Sequence, residues 1–189
     1  IDEASDAARA PLGRLAQRRC AAGDALMHRF DDADDTLDTV SGELRGPEHI
    51  RLCLDALGAQ RLGHGVRTAE DPALLERVVD AGVVLEVCPV SNVALGVYSD
   101  LTSVPLPTLL DAGAQVALGA DDPLLFGSRL AGQYATMRAA HELDDDQLAE
   151  LARMSVRGSR APDDVRARVL DEIDAWLAPA AEKPARMGT

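Results

Sequence analysis

A parallel α/β fold is what this chain predicts, and three observations carry the prediction. Short β-prone runs, "RLGHGV", "GVVLEVCPVSN" and "QVALGADDP", alternate with segments of helical periodicity. The alternation repeats at roughly the length of one strand–helix unit, which calls for parallel strands joined by crossover helices. The run "GVVLEV" is apolar almost without interruption, as suits a strand covered on both faces. A barrel and a doubly wound sheet both satisfy these conditions.

The elements follow in order. "GPEHIRLCLDALGA" reads as a helix, with Pro47 near its start and Gly58 as its stop. "RLGHGV" is a strand, and "DPALLERVVDAG" is a second helix between Pro72 and Gly82. "GVVLEVCPVSN" is the next strand, with Cys88 and Pro89 shaping the turn after it, and "QVALGADDP" is the last strand. "SRLAGQYATMRAAHEL", "DDDQLAELARMSV" and "APDDVRARVLDEIDAWLA" then read as closing helices, with Trp176 on the apolar stripe of the final one as a packing anchor.

Residues 1–40 read differently. They show no convincing strand; a helix is plausible over residues 5–22, and the acidic "FDDADDTLD" reads as a solvated loop. The expected organisation is a leader of uncertain structure over 1–40, an α/β unit over 41–178, and a frayed tail over 179–189.

Composition narrows the partners. The 189 residues suffice for one ordinary domain or part of a larger one, and with aromatics at 3% the core must be aliphatic. A formal net charge of -13 disfavours nucleic acid and anionic membranes, and leaves a small neutral or cationic ligand. Cys20, Cys53 and Cys88 are too widely spaced for a CxxC metal site and odd in number for a disulfide framework, so reduced packing thiols are expected. No run is long and apolar enough to span a bilayer, and "IDEASDAARAP" lacks the features of a signal peptide; the expected location is the cytoplasm.

Parallel α/β folds gather their chemistry at the C-terminal ends of the strands. The polar residues closing the runs are Glu43, His64, Asn92, Asp121 and Asp122. Each has a bland reading. His64, between Gly63 and Gly65, could be a turn histidine, Glu43 a surface carboxylate, and the adjacent aspartates before Pro123 a helix N-cap. The functional reading needs a cation or donor to relieve the repulsion between the two aspartates.

Taken together, "SGELRGPEHI", "ALGAQRLGHGVRTAEDPALLERVVDAGVVLEVCPVSN", "VALGADDPLLFGSRLAGQY" and "LAELARMSVRGSRAP" resemble the C-terminal half of the adenosine deaminase family of zinc-dependent purine deaminases, over about residues 41–178. The resemblance implies the C-terminal portion of a (β/α)8 TIM barrel, its fifth to eighth units, followed by closing helices. It implies zinc at the mouth with Asp121 as a ligand, Asp122 hydrogen-bonded to the purine N7, His64 orienting the zinc-bound water and helping to take its proton, and Glu43 protonating N1 as hydroxide adds to C6. Adenosine or a related 6-aminopurine would leave as inosine or its counterpart, with ammonia. Zinc deaminases of the cytidine type carry HxE and PCxxC motifs instead; neither occurs in this chain, which sets that type of site aside.

The chain also departs from the family pattern. The family's HxH pair is missing, since His28, His49, His64 and His141 stand apart, and Val40 occupies the place of a further histidine ligand. His28 and His49 are the histidines left for recruitment. A whole barrel takes about 250 residues, so an incomplete barrel with an open sheet edge, and self-association through it, is expected. A frameshifted leader before Ser41 would account for the abrupt change in sequence there. The alternative function is a truncated, catalytically inactive purine-binding or interaction remnant.

Overall fold

The computed structural model describes residues 43–178, together with the backbone of two short strands before them. The strands are β1 (Met27–His28), β2 (Asp38–Ser41), β3 (Arg61–His64), β4 (Val84–Val87) and β5 (Gln115–Leu118), in one sheet of order β1-β2-β3-β4-β5. β1 runs antiparallel to β2, and every other pairing is parallel. The helices are α1 (Pro47–Leu57), α2 (Pro72–Asp80), α3 (Pro89–Ala94), α4 (Leu106–Asp111), α5 (Pro123–Phe126), α6 (Leu130–His141), α7 (Asp145–Arg157) and α8 (Asp163–Leu177).

Local chemistry explains the helix ends. Pro47 and Pro72 occupy first-turn positions where no backbone donor is needed. Gly58 stops α1 in the left-handed conformation, with φ of 63°. The Asp71 carboxylate accepts from the Leu74 N–H at the start of α2, and Asp144 with Gln147 forms a reciprocal capping box on α7.

The sheet is sided. Leu62, Leu85 and Val116 are in register across β3, β4 and β5 and are fully buried in a core with Ile50, Leu74, Val78, Leu109, Met137 and Leu151. Their strand neighbours face the other way, where Arg61 pairs with Glu86 and also donates to the Gly158 carbonyl. Register carries functional weight here: Ser41 is level with His64, and Val87 with Leu118, so the C-terminal ends of β2 to β5 share one edge.

Three sequence expectations change. Asn92 does not close a strand: β4 ends at Val87 and Asn92 lies within α3, because Pro89 starts a helix immediately after Cys88. Trp176 is 50% exposed, so it does not anchor the packing; none of the α8 side chains is fully buried. Two strands, β1 and β2, lie in the stretch whose sequence shows no strand pattern, since the sheet pairing that makes them is not local. The expected helix over 5–22, Cys20 and the tail over 179–189 lie outside the described residues. No helix among the described residues is long and apolar enough to cross a membrane.

Candidate active site

Glu43 follows β2 by two residues and is 6% exposed, not a surface carboxylate. His64 is the last residue of β3 and 8% exposed. The parallel register between these strands sets the two side chains together, with Glu43 Oε1 3.4 Å from His64 Nδ1. The other ring nitrogen, Nε2, faces Asp121 Oδ2 at 3.9 Å. One ligand-capable atom from each of Glu43, His64 and Asp121 lies within 4.8 Å of the others.

Asn92 completes the group. It is fully buried, and its Nδ2 lies 3.5 Å from Glu43 Oε1 and 3.4 Å from His64 Nδ1. The sequence shows Asn92 as a polar residue ending a run; its place on α3, four residues after Cys88, is what aims it at the other two.

The backbone is strained at two residues of this cluster. His64 and Asp121 take left-handed backbone, with φ of 69° and 57°, a conformation that side chains with a Cβ resist. Gly65, at φ of 62°, needs to be glycine for a second reason: a Cβ there would stand 2.7 Å from Leu85 Cδ2. Its role is therefore local packing and turning, whereas Gly63 lines the cavity.

The two adjacent aspartates have separate duties. Asp122 Oδ1 accepts from the Leu124 N–H at 2.9 Å and the Leu125 N–H at 3.0 Å, capping α5, while Asp121 turns towards His64. Their repulsion is eased by pointing the carboxylates apart, Asp122 at two backbone donors and Asp121 towards the His64 ring. The structure therefore joins Glu43, His64 and Asp121 into one cluster and leaves Asp122 on its exposed rim, with a cap function already in place.

Burial raises the pKa of Glu43 above the ordinary glutamate range; the nearby Asp121 adds to that, while His64 and the Asn92 amide oppose it. A cavity of about 430 Å³ opens beside the cluster, lined by Arg61, Gly63, His64, Glu86, Gly119 and Asp121. That is room for a small organic ligand. His49 is half-buried on α1, its pKa lowered by burial and by Arg45, and stands outside the cluster; the side chain of His28 lies outside the described residues.

Residues 24–176 match the family model described as "Adenosine deaminase". A Streptomyces virginiae protein provisionally named adenosine/adenine deaminase is 63% identical over 136 residues, 72% of this chain and 40% of its own length. The crystal structure of an adenine deaminase from Arthrobacter aurescens superposes with a TM-score of 0.73 at 33% identity, covering 87% of this chain and 47% of that one. A Burkholderia ambifaria amidohydrolase structure with bound Zn shares the fold, with a TM-score of 0.63 at 19% identity over 74% of this chain and 42% of that one. The chain thus spans less than half the length of these proteins, and its parallel units form part of a (β/α)8 barrel.

Proposed function

Since the chain belongs to the adenosine deaminase family, we propose that it carries the acid, imidazole and paired-aspartate portion of a site for hydrolytic deamination of a 6-aminopurine, adenine or adenosine. The observation that carries this reading is the Glu43–His64–Asp121 cluster at the strand ends beside the cavity.

The proton chemistry follows from the surroundings of each group. Burial keeps Glu43 protonated to higher pH than an exposed glutamate, so it can hand a proton to ring N1 as water oxygen adds to C6. C6 then carries both oxygen and nitrogen; one proton of the added water restores Glu43, the other passes from the oxygen to the amino group, which leaves as ammonia, and C6 keeps the oxygen as a carbonyl. His64 would hold the incoming water from Nε2, the ring nitrogen that faces Asp121. Asp122 lies at the rim, where it would meet N7 through a proton held between them, with Oδ1 still capping α5. A carboxylate oxygen is a zinc ligand in chemistry, and with Glu43 and His64 serving the proton and the water, one such group of the cluster remains. Asp121 is the residue that would hold the metal. When bound, zinc supplies a water acidified towards neutrality.

A second reading has its own support: no HxH pair occurs in the sequence, and Val40 stands where a ligand histidine is expected. On that reading the chain binds a purine and does not turn it over. Ammonia release from adenine and adenosine by the purified chain, with zinc and with a chelator, separates the two. Zinc-dependent release that Glu43→Gln abolishes is the expected result for the deaminase; a folded chain that stays silent with zinc present rejects turnover and leaves the binding role.

A further inference from the structure

Asn92 is fully buried, yet its carboxamide is only half satisfied. Nδ2 reaches Glu43 Oε1 at 3.5 Å and His64 Nδ1 at 3.4 Å, while Oδ1 is buried without a hydrogen-bond partner. An amide left in that state costs stability relative to an apolar side chain of the same shape. Its backbone is also pinned: the Asn92 N–H donates to the Cys88 carbonyl at 3.0 Å, and the Asn92 carbonyl accepts from the Val97 N–H at 2.9 Å. The side chain is thus delivered to one place by α3, between two groups of the site.

We propose that Asn92 is a positioning residue whose Nδ2 donates to both Glu43 and His64, holding the neutral His64 imidazole in the tautomer that carries its proton on Nε2. The step is stereochemical. A carboxamide nitrogen has two protons and no lone pair to offer, so a ring nitrogen that receives one of them cannot carry a proton of its own. The neutral ring then bears its proton on the other nitrogen, which here faces Asp121 Oδ2 at 3.9 Å. His64 consequently presents a donor to the mouth of the site, suited to orienting an oxygen rather than removing a proton from it. Turning the amide over would set Oδ1 against Glu43 Oε1 and require the proton on His64 Nδ1. Amide orientation and ring tautomer are therefore one variable, and reading the ring reads both.

This inference concerns the site of the deaminase reading, but its test does not need turnover, so a silent enzyme and a wrong tautomer are separate results. The experiment is two-bond proton–nitrogen NMR on the intact chain, labelled with nitrogen-15 in histidine and kept metal-free at a pH where the imidazole is neutral. His64→Gln identifies the His64 signals among those of the four histidines. The wild type is expected to show the proton on Nε2. Asn92→Asp, which offers only acceptors, is expected to move it to Nδ1, and Asn92→Leu to leave a mixture. A proton on Nδ1 in the folded wild type overturns the proposal whether or not the variants fold. So does an unchanged tautomer in variants that fold like the wild type.

Discussion

His64 Nε2 faces Asp121 Oδ2 across 3.9 Å, and both residues hold left-handed backbone to do so. The strain is tolerated because parallel neighbours over-determine the strand ends, and it sits where a site needs two side chains aimed at each other. Asp121→Gly relieves the φ of 57° while removing the carboxylate. Its expected effect is a gain of up to about 1 kcal/mol in urea unfolding of the metal-free chain, with loss of zinc uptake measured by calorimetric titration. A variant that is less stable than the wild type would show that Asp121 contributes more by its contacts than it costs by its backbone.

Glu43 gives a pH dependence of defined sign. Its folded pKa is raised above 4.5 by burial, so the neutral form is favoured on folding. The stability it contributes is full below the unfolded value and is lost as pH rises through the raised one. Glu43→Gln should therefore gain in melting temperature relative to the wild type over the pH interval above the ordinary glutamate range, in chelator-treated protein. A loss over that interval would mean that His64 holds Glu43 ionised.

Asp122 separates capping from ligand binding. Serine caps a helix about as well as aspartate, whereas alanine costs roughly 1 kcal/mol at such a position. Asp122→Ser, which keeps a capping oxygen and has no second polar atom for N7, is expected to match the wild type in denaturant midpoint and to lose purine affinity, and Asp122→Ala to lose both. Unaltered purine binding in Asp122→Ser would confine this residue to the cap.

Gly119 and Cys88 pack against each other where β4 and β5 end. A Cβ at Gly119 would stand 2.8 Å from Cys88 Sγ, so Gly119→Ala should destabilise by about 1–3 kcal/mol, and Cys88→Ala should restore part of that in the double variant. Burial pushes the Cys88 thiol up to about 12, which makes it inert to thiol reagents in the native chain. Labelling of Cys88 under native conditions, located by peptide mass spectrometry, is expected only in Gly119→Ala. Additive destabilisation in the double variant would show that the two positions do not meet.

Much of the architecture is readable along the chain. Pro47, Pro72, Gly58 and Gly82 mark helix boundaries through effects that act within one turn, and the apolar run into Val87 marks a covered strand. The same locality explains the errors. Asn92 reads as a strand end because the apolar run before it outweighs the helix-starting effect of Pro89. Trp176 falls on an apolar stripe, but a stripe is buried only if another element covers it, and half of Trp176 remains open.

The residue types at the strand ends, and the order of strands and helices that puts them there, are written in the chain because periodicity, caps and turns are short-range. What the chain does not contain is the meeting of those residues. Glu43 and Asn92 are separated by 49 positions, and Glu43 reaches His64 only through the pairing of Ser41 with that residue across two parallel strands. Packing decides that Asp121 faces His64 while Asp122 serves a helix, and that one amide lies against both an acid and an imidazole. Register and burial are properties of the assembled sheet, and the proton affinities that the chemistry depends on are set by them.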